Sequence, residues 1–90
     1  MRSVTIKGSE FQDISQVHAF LKEELSFPSY YGGNYSALYD VLTETDLETR
    51  IVIDLSGTAF RPVADSLERM IEVIQDAAEE NDRIRLEVIR

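Results

Sequence analysis

Cysteine and tryptophan are absent from the 90 residues, histidine occurs once, and nine Lys and Arg stand against seventeen Asp and Glu. Without cysteine there can be no disulfide, no thiolate zinc site and no cysteine nucleophile, so a hydrophobic core alone must hold the chain. The shortage of positive charge leaves a formal −8 at pH 7. Such a field repels phosphate backbones and attracts cationic surfaces, so direct nucleic-acid binding is not expected and a basic protein partner is. Nowhere do the roughly 18 consecutive apolar residues of a membrane span occur, and MRSVTIKGSE has no signal-peptide core. The expectation is a cytoplasmic protein without a membrane segment.

Phosphate-loop glycines with their lysine, and His or Cys at metal-ligand spacing, are also missing. No metal or cofactor is therefore expected. His18 lies in a helical stretch beside apolar residues, and Asp54 ends a strand before Ser56 and Gly57. These two are the only candidates for an enzyme, and a non-enzymatic role is the better reading.

Hydrophobic residues make up 43% of the chain, enough for one packed core and too little chain for a second, so residues 1–90 read as a single domain. Val4 and Ile6 alternate with polar neighbours in a strand that Gly8 closes, and Ile14, Val17, Leu21 and Leu25 recur at helical spacing behind a capping box of Asp13 and Gln16. Asn34 reads as the N-cap of a short helix running to Thr43 or Glu44. Arg50 to Leu55 is a β-branched run suited to a central parallel strand covered on both faces. A helical turn is expected near Thr58 to Phe60. A second capping box, Asp65 with Glu68, would open a helix whose stripe is Leu67, Met70, Ile71, Ile74 and Ala77 or Ala78. Arg83 to Ile89 alternates like an edge strand. The order β-α-α-β-α-β, with long crossovers, predicts a small α/β domain with parallel strands.

Chemistry concentrates in PSYYGGNYSALYDVL, Pro28 to Leu42. At 100° per residue Tyr35, Leu38, Val41 and Leu42 share one side of the short helix, and Ser36, Tyr39, Asp40 and Thr43 share the other. Four tyrosine hydroxyls and a carboxylate are difficult to bury together, so the cluster reads as a presented surface, with Tyr30 and Tyr31 flanking it. Glu68, Glu72, Asp76 and Glu79 line one side of the last helix and Glu80 follows. Like charges so spaced weaken a helix by roughly 0.2–0.5 kcal/mol per pair, and acids near its C-terminus oppose the macrodipole. They serve solubility or a cationic partner.

The stretch ELSFPSYYGGNYSALYDVLT resembles the pattern of the barstar-like intracellular ribonuclease inhibitors: leucine-x-phenylalanine/leucine-proline, tyrosine-tyrosine-glycine-x-asparagine, then alanine-leucine-aromatic-aspartate-x-leucine. The flanking segments align with the family without large gaps. The resemblance implies a two-layer fold, a three-stranded parallel sheet with three to four helices, and inhibition of a basic, secreted, guanyl-specific ribonuclease of the barnase type. It implies that Asp40 mimics substrate phosphate before the enzyme's arginines and catalytic histidine, and that Tyr30 stacks on that histidine. Gly32, Asn34, Tyr39 and Thr43 match positions along the same loop and helix, and Asp76 and Glu80 match acidic positions on the last helix. Tyr31, Ser36 and Glu44 complete the candidate surface. Ser36 replaces a family aspartate, Glu44 a glycine, Tyr39 a tryptophan, Thr45 an aromatic and Gly33 a charged residue, while Val41 and Asp82 stand at the family's two cysteines. These departures leave open an immunity or interaction module directed at a basic toxin that is not a ribonuclease.

Overall fold

A computed structural model describes all residues from Met1 to Arg90. Strand β1 (Arg2–Lys7) passes through a 3-10 turn (Gly8–Glu10) to helix α1 (Ile14–Glu24), helix α2 (Tyr35–Glu44), strand β2 (Thr49–Asp54), helix α3 (Arg61–Glu80) and strand β3 (Ile84–Ile89). The strands form one parallel sheet in the order β1-β2-β3, with Val4 opposite Ile51 and Ile51 opposite Leu86. The α/β architecture is the one the sequence predicts, with three α-helices. The single-turn helix lies at Gly8–Glu10, whereas Thr58 to Phe60 is irregular.

Alternation decides which face of the sheet is covered. Val4, Ile6, Ile51, Ile53 and Ile84 point inward to a core completed by Val17, Leu21 and Leu25 of α1, Leu38 and Leu42 of α2, and Val63, Leu67, Met70, Ile71 and Ile74 of α3. Each fully buried Leu or Ile contributes roughly 1.5–3 kcal/mol of transfer free energy. The other face carries Ser3, Thr5, Lys7, Arg85 and Glu87 in solvent. The expectation that β2 is covered on both faces is therefore corrected. Its single apolar residue on the outer face, Val52, sits between Thr5 and Glu87 in register. Val52 is nevertheless buried, and on the same face Arg50 and Glu87 form a forked pair with Nη2 to Oε2 at 2.6 Å; long side chains of this kind cover apolar surface with their stems.

Helix starts follow local chemistry with two departures. Asp13 accepts from the Gln16 backbone N–H at 3.0 Å, but the Gln16 side chain returns to the N–H of Gln12 rather than to that of Asp13, so the box closes one residue early. Helix α3 begins at Arg61, four residues before the predicted cap, with Pro62 in its first turn. Proline there has φ set for a helix and lacks only an N–H that would be unpaired anyway. Asp65 lies inside the helix, where it accepts from Arg61 Nε at 3.1 Å.

Helices α2 and α3 run in the same direction. Tyr35 Oη at the start of α2 donates to Ser66 O at 2.9 Å, and Asn81 Nδ2, just past the end of α3, donates to Leu42 O and Thr45 O at 2.9 Å each. Arg2 ties the same end of α2 to the rest, donating to Leu25 O, Thr45 Oγ1 and Thr49 Oγ1.

Candidate functional site

The loop before α2 is fastened to α1. Phe27 N donates to Lys22 O at 2.9 Å, Tyr31 N to Pro28 O at 2.9 Å, and Lys22 Nζ to Ser29 O at 3.1 Å. The two adjacent tyrosines then part company. Tyr31 turns inward beside Phe27, ring centroids 4.9 Å apart, and its hydroxyl meets His18 Nδ1 at 2.6 Å. Burial pushes the Tyr31 phenol well above its ordinary pKa and holds the His18 imidazole below its own. Tyr30 stays 85% exposed. Gly33 has φ +66°, the left-handed region that favours glycine, and it delivers Asn34 to the cap of α2, where Asn34 Oδ1 accepts from Ala37 N at 2.8 Å.

Helix α2 presents Ser36, Asp40 and Glu44 to solvent. Tyr35 is partly buried through its bond to Ser66, and Tyr39 and Thr43 are half-buried. Thr43 Oγ1 is turned back on its own helix, 2.9 Å from Tyr39 O and 3.1 Å from Asp40 O. The tyrosine cluster is therefore divided: Tyr30 is presented, Tyr39 flanks a cleft, and Tyr31 and Tyr35 spend their hydroxyls inside the protein.

Asp40 stands on a ridge between two clefts. One, of about 360 Å³, is walled by Tyr30, Tyr31 and Gly32 and floored by Pro28, Ala37 and Val41, with Asp40 and Glu44 at its mouth. The other, of about 280 Å³, lies between α2 and α3 and is lined by Tyr35, Ser36, Tyr39, Asp40, Arg69, Val73 and Asp76. Glu80 follows one turn beyond Asp76, exposed, and lines neither cleft. The four ion pairs of the protein involve Glu87, Asp65, Glu72 and Glu68. Asp40, Glu44, Asp76 and Glu80 are paired with no cation of their own chain. Neither α2 nor α3 has a basic residue in its last turn, so both macrodipoles add negative potential at the same end of this face.

The enzyme candidates do not converge. Asp54 closes a turn by accepting from Ser56 N and Oγ, at 2.9 and 2.5 Å, and the Ser56 hydroxyl foremost holds its carboxyl below the usual range. His18 is occupied by Tyr31. The largest cleft, about 640 Å³, opens between Gly8–Asp13 and Gly57–Phe60. Its one carboxylate, Asp13, already caps α1, and none of the candidate residues lines it.

Residues 1–89 match the family model described as "Barstar (barnase inhibitor)". The chain belongs to the barstar family. It is 42% identical over 84 residues, 89% of each chain, to a Bacillus subtilis (strain 168) protein named "Putative ribonuclease inhibitor YrdF". In this barstar-family chain the candidate residues Tyr30, Gly32, Asn34, Tyr39, Asp40 and Thr43 lie along one continuous loop and helix, and Asp76 lines the inter-helix cleft from α3. Ser36 and Glu44 lie on the exposed side of α2. Each lines one of the two clefts that flank Asp40.

Arg69, Val73 and Asn81 are not among the site residues read from the sequence, and His18, singled out there only as an enzyme candidate, instead holds Tyr31. Arg69, Val73 and Asp76 recur at i, i+4 and i+7, and that spacing alone puts an arginine beside the acidic residue already singled out.

Proposed function

We propose that the protein is a cytoplasmic inhibitor of a basic, guanyl-specific ribonuclease of the barnase type, and that it blocks the enzyme's active site with the loop and helix of residues 30–44. Asp40 takes the place of substrate phosphate before the enzyme's cationic groups, Tyr30 stacks on an active-site ring, and Asp76 and Glu80 meet further basic residues. Gly32, Asn34, Ser36, Tyr39, Thr43 and Glu44 shape the contact, while Tyr31 holds the loop from behind. The observation that carries this reading is Asp40 itself: an exposed carboxylate without an internal cation, on a ridge beside the most exposed aromatic ring of the chain. Membership of the barstar family and the name of the Bacillus relative support the ribonuclease as target.

The test titrates barnase-catalysed RNA cleavage with wild-type protein, Asp40→Ala and Glu23→Ala. A hydrogen bond to a charged group contributes about 1.5–3 kcal/mol, so Asp40→Ala should weaken inhibition by roughly tenfold to more than a hundredfold per bond lost. Glu23→Ala, on exposed α1 away from both clefts, should leave it unchanged. Equal effects of the two substitutions would remove Asp40 from the role given to it.

A further inference from the structure

The acidic face contains one cation, and its place is specific. Arg69 lies on α3 at the level where α2 begins, opposite Ser36, in the cleft whose other charged residues are Asp40 and Asp76. Its Nη1 contacts Glu72 Oε2 at 3.0 Å, with both side chains about 60% exposed. An exposed pair of this kind contributes little to stability, and an acid preceding the base along a helix is the better order, so Arg69 before Glu72 is not explained by helix stability. The positive end of the α2 macrodipole, at Tyr35 and Ser36, falls beside the same guanidinium. Along the cleft, potential thus runs from positive at Arg69 and Ser36 to negative at Asp40 and Asp76.

We infer that Arg69 is a selectivity residue: it repels a ribonuclease whose active-site rim is uniformly basic and admits one that sets a carboxylate or other acceptor against Arg69 while keeping its cations over Asp40 and Asp76. The proposal rests on the ribonuclease-inhibitor reading and deepens it by stating the charge pattern of the partner. Discrimination of this kind comes from a repulsive element as much as from an attractive one. Ser36 opposite is neutral, so the only carboxylate paired with the guanidinium is Glu72 on its own helix.

The probe is barnase, assayed for RNA cleavage against wild-type protein, Arg69→Ser, Arg69→Glu and, as a control on the same helix outside the cleft, Arg61→Ser. Thermal melts verify that the exposed substitutions leave the fold intact. Removing the like charge should tighten inhibition by roughly tenfold, and reversing it should tighten it further, toward a hundredfold or more, with the gain shrinking as salt rises. Arg61→Ser should match wild type. If wild type inhibits and Asp40→Ala abolishes this, yet both Arg69 variants behave as wild type or inhibit less, the selectivity role is overturned and the inhibitor reading stands. If no variant inhibits barnase at all, both fall together. Inhibition that appears only once Arg69 is replaced supports the proposal.

Discussion

Replacing Asn81 should destabilise the protein more than any other single polar substitution that leaves the apolar core intact. Asn81 is 8% exposed at the end of α3. Its Nδ2 donates to Leu42 O and Thr45 O, 2.9 Å each, and its Oδ1 accepts from Arg83 N at 3.1 Å. Leu42 O belongs to the last turn of α2, where carbonyls have no partner within the helix. Asn81→Ala removes three hydrogen bonds at a net of about 0.5–1.5 kcal/mol each, so the loss should be about 2–4 kcal/mol, and the buried Leu42 carbonyl pushes it toward the upper end. A 90-residue chain has roughly 5–13 kcal/mol in total. The melting temperature should therefore fall by about 8–32 °C, at roughly 4–8 °C per kcal/mol for a domain of this size.

Asn81→Asp gives a sharper comparison. The isosteric carboxylate keeps the acceptor for Arg83 N but turns an anion toward two carbonyl oxygens, so it should be at least as damaging at pH 7. Its folded-state pKa would be raised, and the deficit should shrink as pH falls and the carboxyl protonates into a donor. Urea and thermal unfolding followed by circular dichroism at pH 7 and pH 5 provide the measurement. A fall of less than about 4 °C for Asn81→Ala, or an Asn81→Asp variant as stable as wild type at pH 7, would refute the clamp.

Two further outcomes can be checked by the same methods. Burial lowers the His18 pKa below its ordinary value, so the unfolded chain binds the proton first; stability should be unaffected above pH 7 and decline as pH falls through about 6.5. His18→Gln should flatten the slope between pH 7 and 5, and an unchanged slope would assign it to other groups. Gly33→Ala, at φ +66° with its nearest neighbour 3.8 Å away, should cost about 1–2 kcal/mol from backbone strain alone. Gly32→Ala, at a position without positive φ, should cost clearly less, and equal losses would show that crowding rather than φ decides.

Much of this architecture was legible because it is local. Asn34 caps α2 through a bond three residues away, α1 starts one residue past Asp13, and the β-branched run of β2 falls within one residue of its predicted limits. The exposure of Asp40 follows from 100° per residue. What stayed hidden depends on partners far along the chain. The hydroxyls of Tyr31 and Tyr35 are satisfied 13 and 31 residues away, at His18 and Ser66, and no periodicity reports that. Tyr39 was placed on the solvent side of α2, but a helix face says nothing of how closely a neighbouring helix covers its border. The start of α3 was misplaced because Asp65 and Glu68 imitate a cap, whereas both form ion pairs with Arg61 and Arg90.

The clamp between Asn81 and the end of α2 also bears on timing during synthesis. A ribosome that has released residues 28–44 has released the whole loop and helix on which Asp40 stands, yet the second wall of the inter-helix cleft, Arg69 to Asp76, has still to emerge, as has the amide that locks both helices together. Strand β2 likewise waits for β3. A chain cut short before α3 therefore carries Asp40 without the inter-helix cleft that flanks it and without the clamp that fixes α2.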